Sequence, residues 1–130
     1  MTDPTAADSE MGQLARKLFD ALETADVETL KSLYAPGATL WTNVSQRRLP
    51  AEAVASFLPR IAKKMPDRTY ADRRVSLFPG GFVHRHRLTG TRADGARVAA
   101  ECCAIVLVEG GRVASIEEYV DSRQLEALSG

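Results

Sequence analysis

Residues 68–121 read RTYADRRVSLFPGGFVHRHRLTGTRADGARVAAECCAIVLVEGGRVASIEEYVD, and the way this run divides decides the fold. Three short turns cut it: Pro79-Gly80-Gly81, Ala93-Asp94-Gly95 and Glu109-Gly110-Gly111. Between them lie four long segments, 68–78, 82–91, 97–108 and 112–121, which the turn spacing predicts as strands. Long strands joined by short turns are antiparallel neighbours. Side chains alternate across a strand, so each strand can be sorted into two faces. On the second, Phe82, His84, His86 and Leu88 share one face, and Val83, Arg85 and Arg87 the other. Arginines seek water or a carboxylate, so the histidine face is expected inside. On the third, Cys102, Ala104, Val106 and Val108 oppose Glu101, Cys103, Ile105 and Leu107, and both faces are largely apolar. A sheet apolar on both sides asks for a second cover, most simply another copy of the chain, and a homodimer is expected. On the last strand Ile116, Glu118 and Val120 oppose Ser115, Glu117, Tyr119 and Asp121. If Ile116 and Val120 point inward Glu118 goes with them, and a buried carboxyl has a raised pKa unless it is paired.

Upstream of the strands the period changes. Met11, Leu14, Ala15, Leu18, Phe19 and Leu22 recur at helical spacing. Asp26 then serves as the N-cap of a second helix with an apolar face of Val27, Leu30, Leu33 and Tyr34, stopped by Pro36-Gly37. Residues 38–44 read as a strand containing the only tryptophan, Trp41. Pro50 suits the first turn of a third helix with Val54, Phe57, Leu58 and Ile61 as its stripe, and Pro59 should kink or end it near Leu58. Residues 122–128 read as a short terminal helix capped by Asp121. Helices followed by a strand meander give an α+β domain in which one curved sheet face closes over the helices. Residues 1–10, small and polar, form a flexible lead, and 11–130 a single domain.

The 130 residues carry 17 basic and 17 acidic side chains, a formal net charge of zero, with no block of one sign. No field favours a polyanion, so nucleic acid is not an expected partner. The first ten residues hold three acids and no base, and no apolar run approaches the length of a bilayer span, which points to a cytoplasmic protein without membrane attachment. Cys102 and Cys103 are adjacent, a poor arrangement for a disulfide, and read as reduced packing thiols. Gly80-Gly81 and Gly110-Gly111 are hairpin turns, since neither opens a helix that would cradle phosphate.

The segment 18–35, LFDALETADVETLKSLYA, followed by ATLW at 38–41, resembles the opening of the nuclear transport factor 2-like superfamily. GFVHRHRLTGTRADG at 81–95 and GRVASIEEYVD at 111–121 resemble the hairpin and final strand of its ketosteroid isomerase-like and SnoaL-like polyketide cyclase branches. The resemblance implies a cone-shaped, cystatin-like α+β barrel. In such a cone a strongly bent antiparallel sheet wraps three helices, an apolar cavity lies at the wide end, and the sheet serves for dimerisation. It also implies cofactor-free proton-transfer chemistry or, in other members, binding alone. The steroid isomerase machinery does not carry over: its tyrosine falls on Leu18, its base on Thr42 and its protonated acid on Ala104. The same correspondence places His84, His86, Ala104, Val106, Ile116 and Glu118 on the cavity side.

Three readings follow. In the first the chain is a cyclase, isomerase or dehydratase acting without a cofactor on an apolar polyketide-, terpenoid- or steroid-like substrate. His84 or His86 is then the general base, as an imidazole near its ordinary pKa, and Glu118 its partner. Tyr34, Trp41 and Asn43 line the mouth, with Phe57, Leu88, Val106 and Ile116 as further lining. The direction of Trp41 hangs on register, because a bulge would exchange Trp41 and Asn43 with Leu40 and Thr42. In the second reading the domain only binds a small apolar ligand or dimerises. In the third, His-x-His holds a metal with Glu118 or Cys102, although no further histidine exists to complete a ligand set, and no metal is the expectation.

Overall fold

The structure, a computed structural model, describes residues 9–129. In chain order it contains α1 (Glu10–Thr24), α2 (Val27–Leu33), β1 (Tyr34–Thr42), β2 (Arg48–Pro50) and α3 (Ala51–Lys64). Then come β3 (Thr69–Phe78), β4 (Gly81–Thr91), β5 (Arg97–Glu109), β6 (Arg112–Val120) and α4 (Ser122–Ser129). Of the lead expected to be flexible, residues 1–8 lie outside the described residues. Ser9 and Glu10 do not fray: the Ser9 hydroxyl accepts from the Gly12 N–H at 3.0 Å and caps α1. Asp26 caps α2 as expected, accepting from the Thr29 N–H at 3.2 Å. Asp121 caps α4, accepting from the N–H groups of Arg123 and Gln124. Among the described residues no helix is long and apolar enough to cross a membrane.

The strands form one curved, unclosed sheet in the order β2-β1-β6-β5-β4-β3. The meander β3 to β6 is antiparallel throughout, and β4 and β5 pair over eleven positions without a shift. The pairing of β1 with β6 is parallel, the one departure from an all-antiparallel sheet. The helices pack on one face. Phe19, Leu18 and Ala15 of α1 and Leu30 of α2 are fully withdrawn against Phe82, Ala104, Val106 and Val113 of the sheet. Each large apolar side chain so buried contributes about 1.5–3 kcal/mol.

Three bulges set the faces. Two residues of β3, Asp72 and Arg73, stand where β4 offers one, and Asp72 takes φ 52°. An extra residue, Ala114, near the start of β6 lets Val113 and Ile116 both point inward. The third lies between Tyr34 and Thr39 of β1 and absorbs Pro36 and Gly37, the latter at φ 75°. The dipeptide expected to stop a helix therefore sits inside a strand, and α2 already ends at Leu33. Pro59 does not end α3 either, which runs on to Lys64. Only Ala51, Ala55 and Leu58 of α3 are buried, while Phe57 and Ile61 are 57% and 51% exposed.

Candidate active site

The inner face of the meander carries polar groups among apolar ones. By the alternation that the pairing confirms, His84, His86 and Leu88 of β4 face Cys102, Ala104 and Ala100 of β5, which in turn face Glu118 and Val120 of β6. Three successive inner positions of β5 are small: Ala100, Cys102 and Ala104. Inward-facing Tyr70, Leu88 and Glu118 each keep some accessible surface, so this end of the face is not packed solid. Leu125 and Leu128 of α4 close over Ala100, Cys102 and Val120 and form a small second core.

The histidines differ from the expected poised base. Each is at most 3% exposed, and His84 lies stacked on Phe19 with ring centres 3.4 Å apart. Their polar partner is each other, Nδ1 to Nδ1 at 3.0 Å. Such a contact needs one ring to donate and the other to accept, so the pair is neutral with complementary tautomers. Burial, then the neighbouring imidazole and the Arg73 guanidinium, pull His84 down to about 3. Burial and Arg73, against Glu101, pull His86 down to about 4. Neither imidazole is a base matched to neutral pH, and their hydrogen-bond partner is not Glu118. Among the described residues no group of three or more His, Cys, Asp or Glu side chains is arranged to hold a metal ion.

Glu118 behaves otherwise. It stands opposite Ala104 on one side and Thr42 on the other, and burial of its carboxyl pushes it up to about 6. A carboxyl in that range is mostly ionised at neutral pH yet readily reprotonated, which suits proton transfer. The neighbouring Cys102 thiol is pushed up to about 12 by burial and by Glu118, and stays a neutral, unreactive group.

Two residues that alternation missed complete the interior. Counting by twos from Val75 puts Tyr70 outside; the bulge at Asp72-Arg73 reverses the parity, and Tyr70 pairs with Leu88 on the inner face. Its ring centre lies 5.0 Å from that of His86 and 6.0 Å from that of Phe19. Burial, together with the charge of Glu118, raises the phenol well above its usual range, so it remains a donor. Arg68, just before β3, is 7% exposed, and its guanidinium carbon lies 5.7 Å from the Tyr70 ring centre. Its Nη2 donates to the carbonyls of Leu22 and Glu23 at the end of α1. A proline two residues before the expected strand and an arginine at its edge gave no signal of this in the sequence.

The remaining expected lining residues fall elsewhere. Tyr34 is a core residue, 4% exposed, opposite Val113. Trp41 faces outward, its ring 5.3 Å from Tyr119, and Leu40 takes the inner position, the exchange that a bulge in this strand entails. Asn43 is structural: its amide donates to the Val120 carbonyl at 3.0 Å and accepts from the Val120 N–H at 2.9 Å, extending the sheet by one rung. Phe57 lies on the exposed side of α3, away from the interior. Val106 and Ile116 point inward but are sealed into the main core, and Leu88, partly buried, packs on the second core with Leu125 and Leu128.

A cavity of about 520 Å³ opens on the opposite side of the sheet, where Arg74, Arg85, Arg87, Glu101, Cys103 and Tyr119 gather. His86 and Cys102 also border it, but Glu118 and Tyr70 do not.

The same architecture occurs in proteins of distant sequence. IdmH of Streptomyces antibioticus, named as a candidate polyketide cyclase, superposes with a TM-score of 0.81 over 94% of this chain and 99% of its own at 17% identity. Bal32a, from a soil-derived mobile gene cassette, gives 0.78 at 21% identity over 95% and 98% of the two chains. An LEH-like epoxide hydrolase of M. tuberculosis gives 0.73 at 17% identity over 92% and 88%. At such identities the likeness is one of fold. No curated protein matches the chain by sequence. The model of the SnoaL-like domain family matches residues 15–116, most of the chain, and the protein belongs to that family.

Proposed function

We propose that the protein is a cofactor-free proton-transfer enzyme, a cyclase, isomerase or dehydratase, that acts on a small, largely apolar polyketide-, terpenoid- or steroid-like molecule. Glu118 is the acid-base group. The observation that carries the reading is a carboxyl on the inner sheet face that burial pushes up to about 6, with the Tyr70 phenol within its field. The neutral histidine pair serves as a rigid floor that holds Phe19 and Tyr70 in place. Structures similar in fold include a candidate cyclase and an epoxide hydrolase, in keeping with a catalytic reading.

The test needs no substrate at the outset. Carbon-13 NMR titration of the glutamate carboxyls, with Glu118→Gln to assign the resonance, is expected to give a midpoint near 6 in place of the ordinary 4.5. Once a substrate is found, kcat/KM should rise with pH through that midpoint, and Glu118→Gln should lower it about a hundred- to ten-thousand-fold. A midpoint near 4.5, or turnover indifferent to Glu118→Gln, would remove the acid-base role and leave a binding module of the same fold. We also propose that the outer sheet face pairs two copies of the chain, because Leu107 and Tyr119 stand 46% and 42% exposed there beside Trp41, Val83 and Ile105.

A further inference from the structure

The outer sheet face carries a row of side chains that play no part in the chemistry proposed for Glu118. Strand pairing sets Arg74 of β3 opposite Arg85 of β4, Arg85 opposite Cys103 of β5, and Cys103 opposite Tyr119 of β6. All four line the cavity of about 520 Å³ on that face, a volume in the range of small-molecule sites. Like charges directly opposite one another on a sheet repel, so a cross-strand pair of arginines is unfavourable unless an anion lies between them. The next rung is balanced within the chain: Arg87 faces Glu101, with an ion pair at 2.6 Å, and lies 3.6 Å from Asp72. The third acid bordering the cavity, Asp121, accepts from the N–H groups of Arg123 and Gln124. Each acid there has its own donors, whereas among the described residues Arg74 and Arg85 have no carboxylate within ion-pair distance.

We propose that this row is a binding site for an aromatic carboxylate, held by its acid group between Arg74 and Arg85 and by its rings on Cys103 and Tyr119. A guanidinium is a planar fork of donors that matches a carboxylate, and two of them from adjacent strands grip one acid group from both sides. Cys103, half-buried between the strands, gives a small uncharged floor. Tyr119, 42% exposed at the far end of the row, offers an aromatic surface steadied by Trp41, with ring centres 5.3 Å apart. Neighbouring strands are about 4.8 Å apart, so β4 and β6 stand about 10 Å apart, a span that suits a two-ring acid. The site lies on the opposite sheet face from Glu118 and stands whatever the role of that residue. The apolar patch proposed for pairing continues along the same strands, where Val83 faces Ile105 and Gly81 faces Leu107, so the arginine row lies beside that patch with Tyr119 common to both.

The probe is 2-naphthoate, ionised at pH 7, titrated into the wild-type chain by calorimetry beside its uncharged isostere 2-naphthamide and inorganic phosphate. Naphthoate should bind at one site per chain, and naphthamide about tenfold more weakly, since it lacks the charge. Phosphate, which meets the arginines but not Tyr119, should also bind more weakly than naphthoate. Arg74→Gln and Arg85→Gln should each weaken naphthoate about tenfold or more, and Tyr119→Ala about threefold. Arg112→Gln, an exposed arginine outside the cavity, should leave it unchanged. Arg74 and Arg85 are themselves exposed, so their replacement leaves the fold intact, which an unchanged melting temperature verifies. Equal affinity for naphthoate and naphthamide, indifference to both arginines, or no binding of naphthoate would each overturn the proposal. Phosphate bound more tightly than naphthoate would remove the aromatic part of the ligand and overturn it as well. So would affinity lost in Glu118→Gln alone, which would put the ligand on the inner face. The other candidate occupant is a carboxylate of a second copy. Light scattering that shows Arg74→Gln and Arg85→Gln turning a dimer into monomers, with naphthoate bound no more weakly, would assign the arginines to that contact and end the ligand site.

Discussion

His84 and His86 show how a pair of residues can change meaning between chain and fold. As a sequence, His-x-His on an inner strand face suggests a base or a ligand. Folded, the two rings spend their Nδ1 atoms on each other and lie under Phe19, so they act as a packed polar strut. This has a consequence for pH. Unfolded imidazoles take a proton near 6.5, while the folded ones resist it down to about 3 and 4. The unfolded state therefore binds more protons in that window, and stability, complete above pH 6.5, drains as pH falls, by up to about 1.4 kcal/mol per pH unit for each imidazole. Glu118 acts in the opposite sense: its folded carboxyl takes a proton near 6 and its unfolded one near 4.5, so it restores stability between those values. Two groups drain and one restores, so the net is a loss. Urea denaturation from pH 7 to pH 4 should show the midpoint falling from about 6.5 downward, and a His84→Leu/His86→Leu double variant should lose that fall. A wild-type profile flat across this range would show that the histidines are not held neutral.

At the level of elements, the bulges decide more than the strands do. The one in β3 turns Tyr70 inward and presents Arg73 to Asp20 and Glu23 of α1, which tie helix to sheet. The backbone of β4 begins at Gly81, where a β-carbon would stand 2.0 Å from the Val106 carbonyl oxygen and 2.9 Å from the Phe78 ring. A backbone oxygen in a continuous ladder cannot step aside as a flexible side chain would. Gly81→Ala is expected to destabilise the fold by about 3 kcal/mol or more, measured by chemical denaturation, because it must break the β4–β5 pairing at its first rung. Ordinary stability in that variant would mean that the ladder end is free to shift, and with it the position of Phe82 and the histidines.

At the scale of the whole molecule, the sheet has two unlike faces: the inner one holds Glu118 and Tyr70, and the outer one exposes apolar side chains along β5 and β6. The proposed pairing of two copies is checked by light scattering after gel filtration. The wild type should elute as a dimer and Leu107→Arg as a monomer, with Glu118 still titrating near 6, since the two faces are separate; a monomeric wild type would end the dimer proposal. The α+β class, the four-strand meander, the caps at Asp26 and Asp121 and the inward direction of His84, His86 and Glu118 were all determined by the sequence. Each depends on local chemistry or on a period of two that an uninterrupted β4–β5 pairing preserves. Tertiary structure alone decided the rest. Whether Trp41 or Leu40 points inward, whether Tyr70 reaches the interior, and whether Pro36-Gly37 stops a helix or bends a strand all turn on bulges, which shift parity by one residue without leaving a compositional mark. The contrast between Glu118 and the histidines turned on partners distant in the chain: desolvation by the surrounding fold raised Glu118 and lowered both histidines, and no local pattern encodes how far a group will be taken from water.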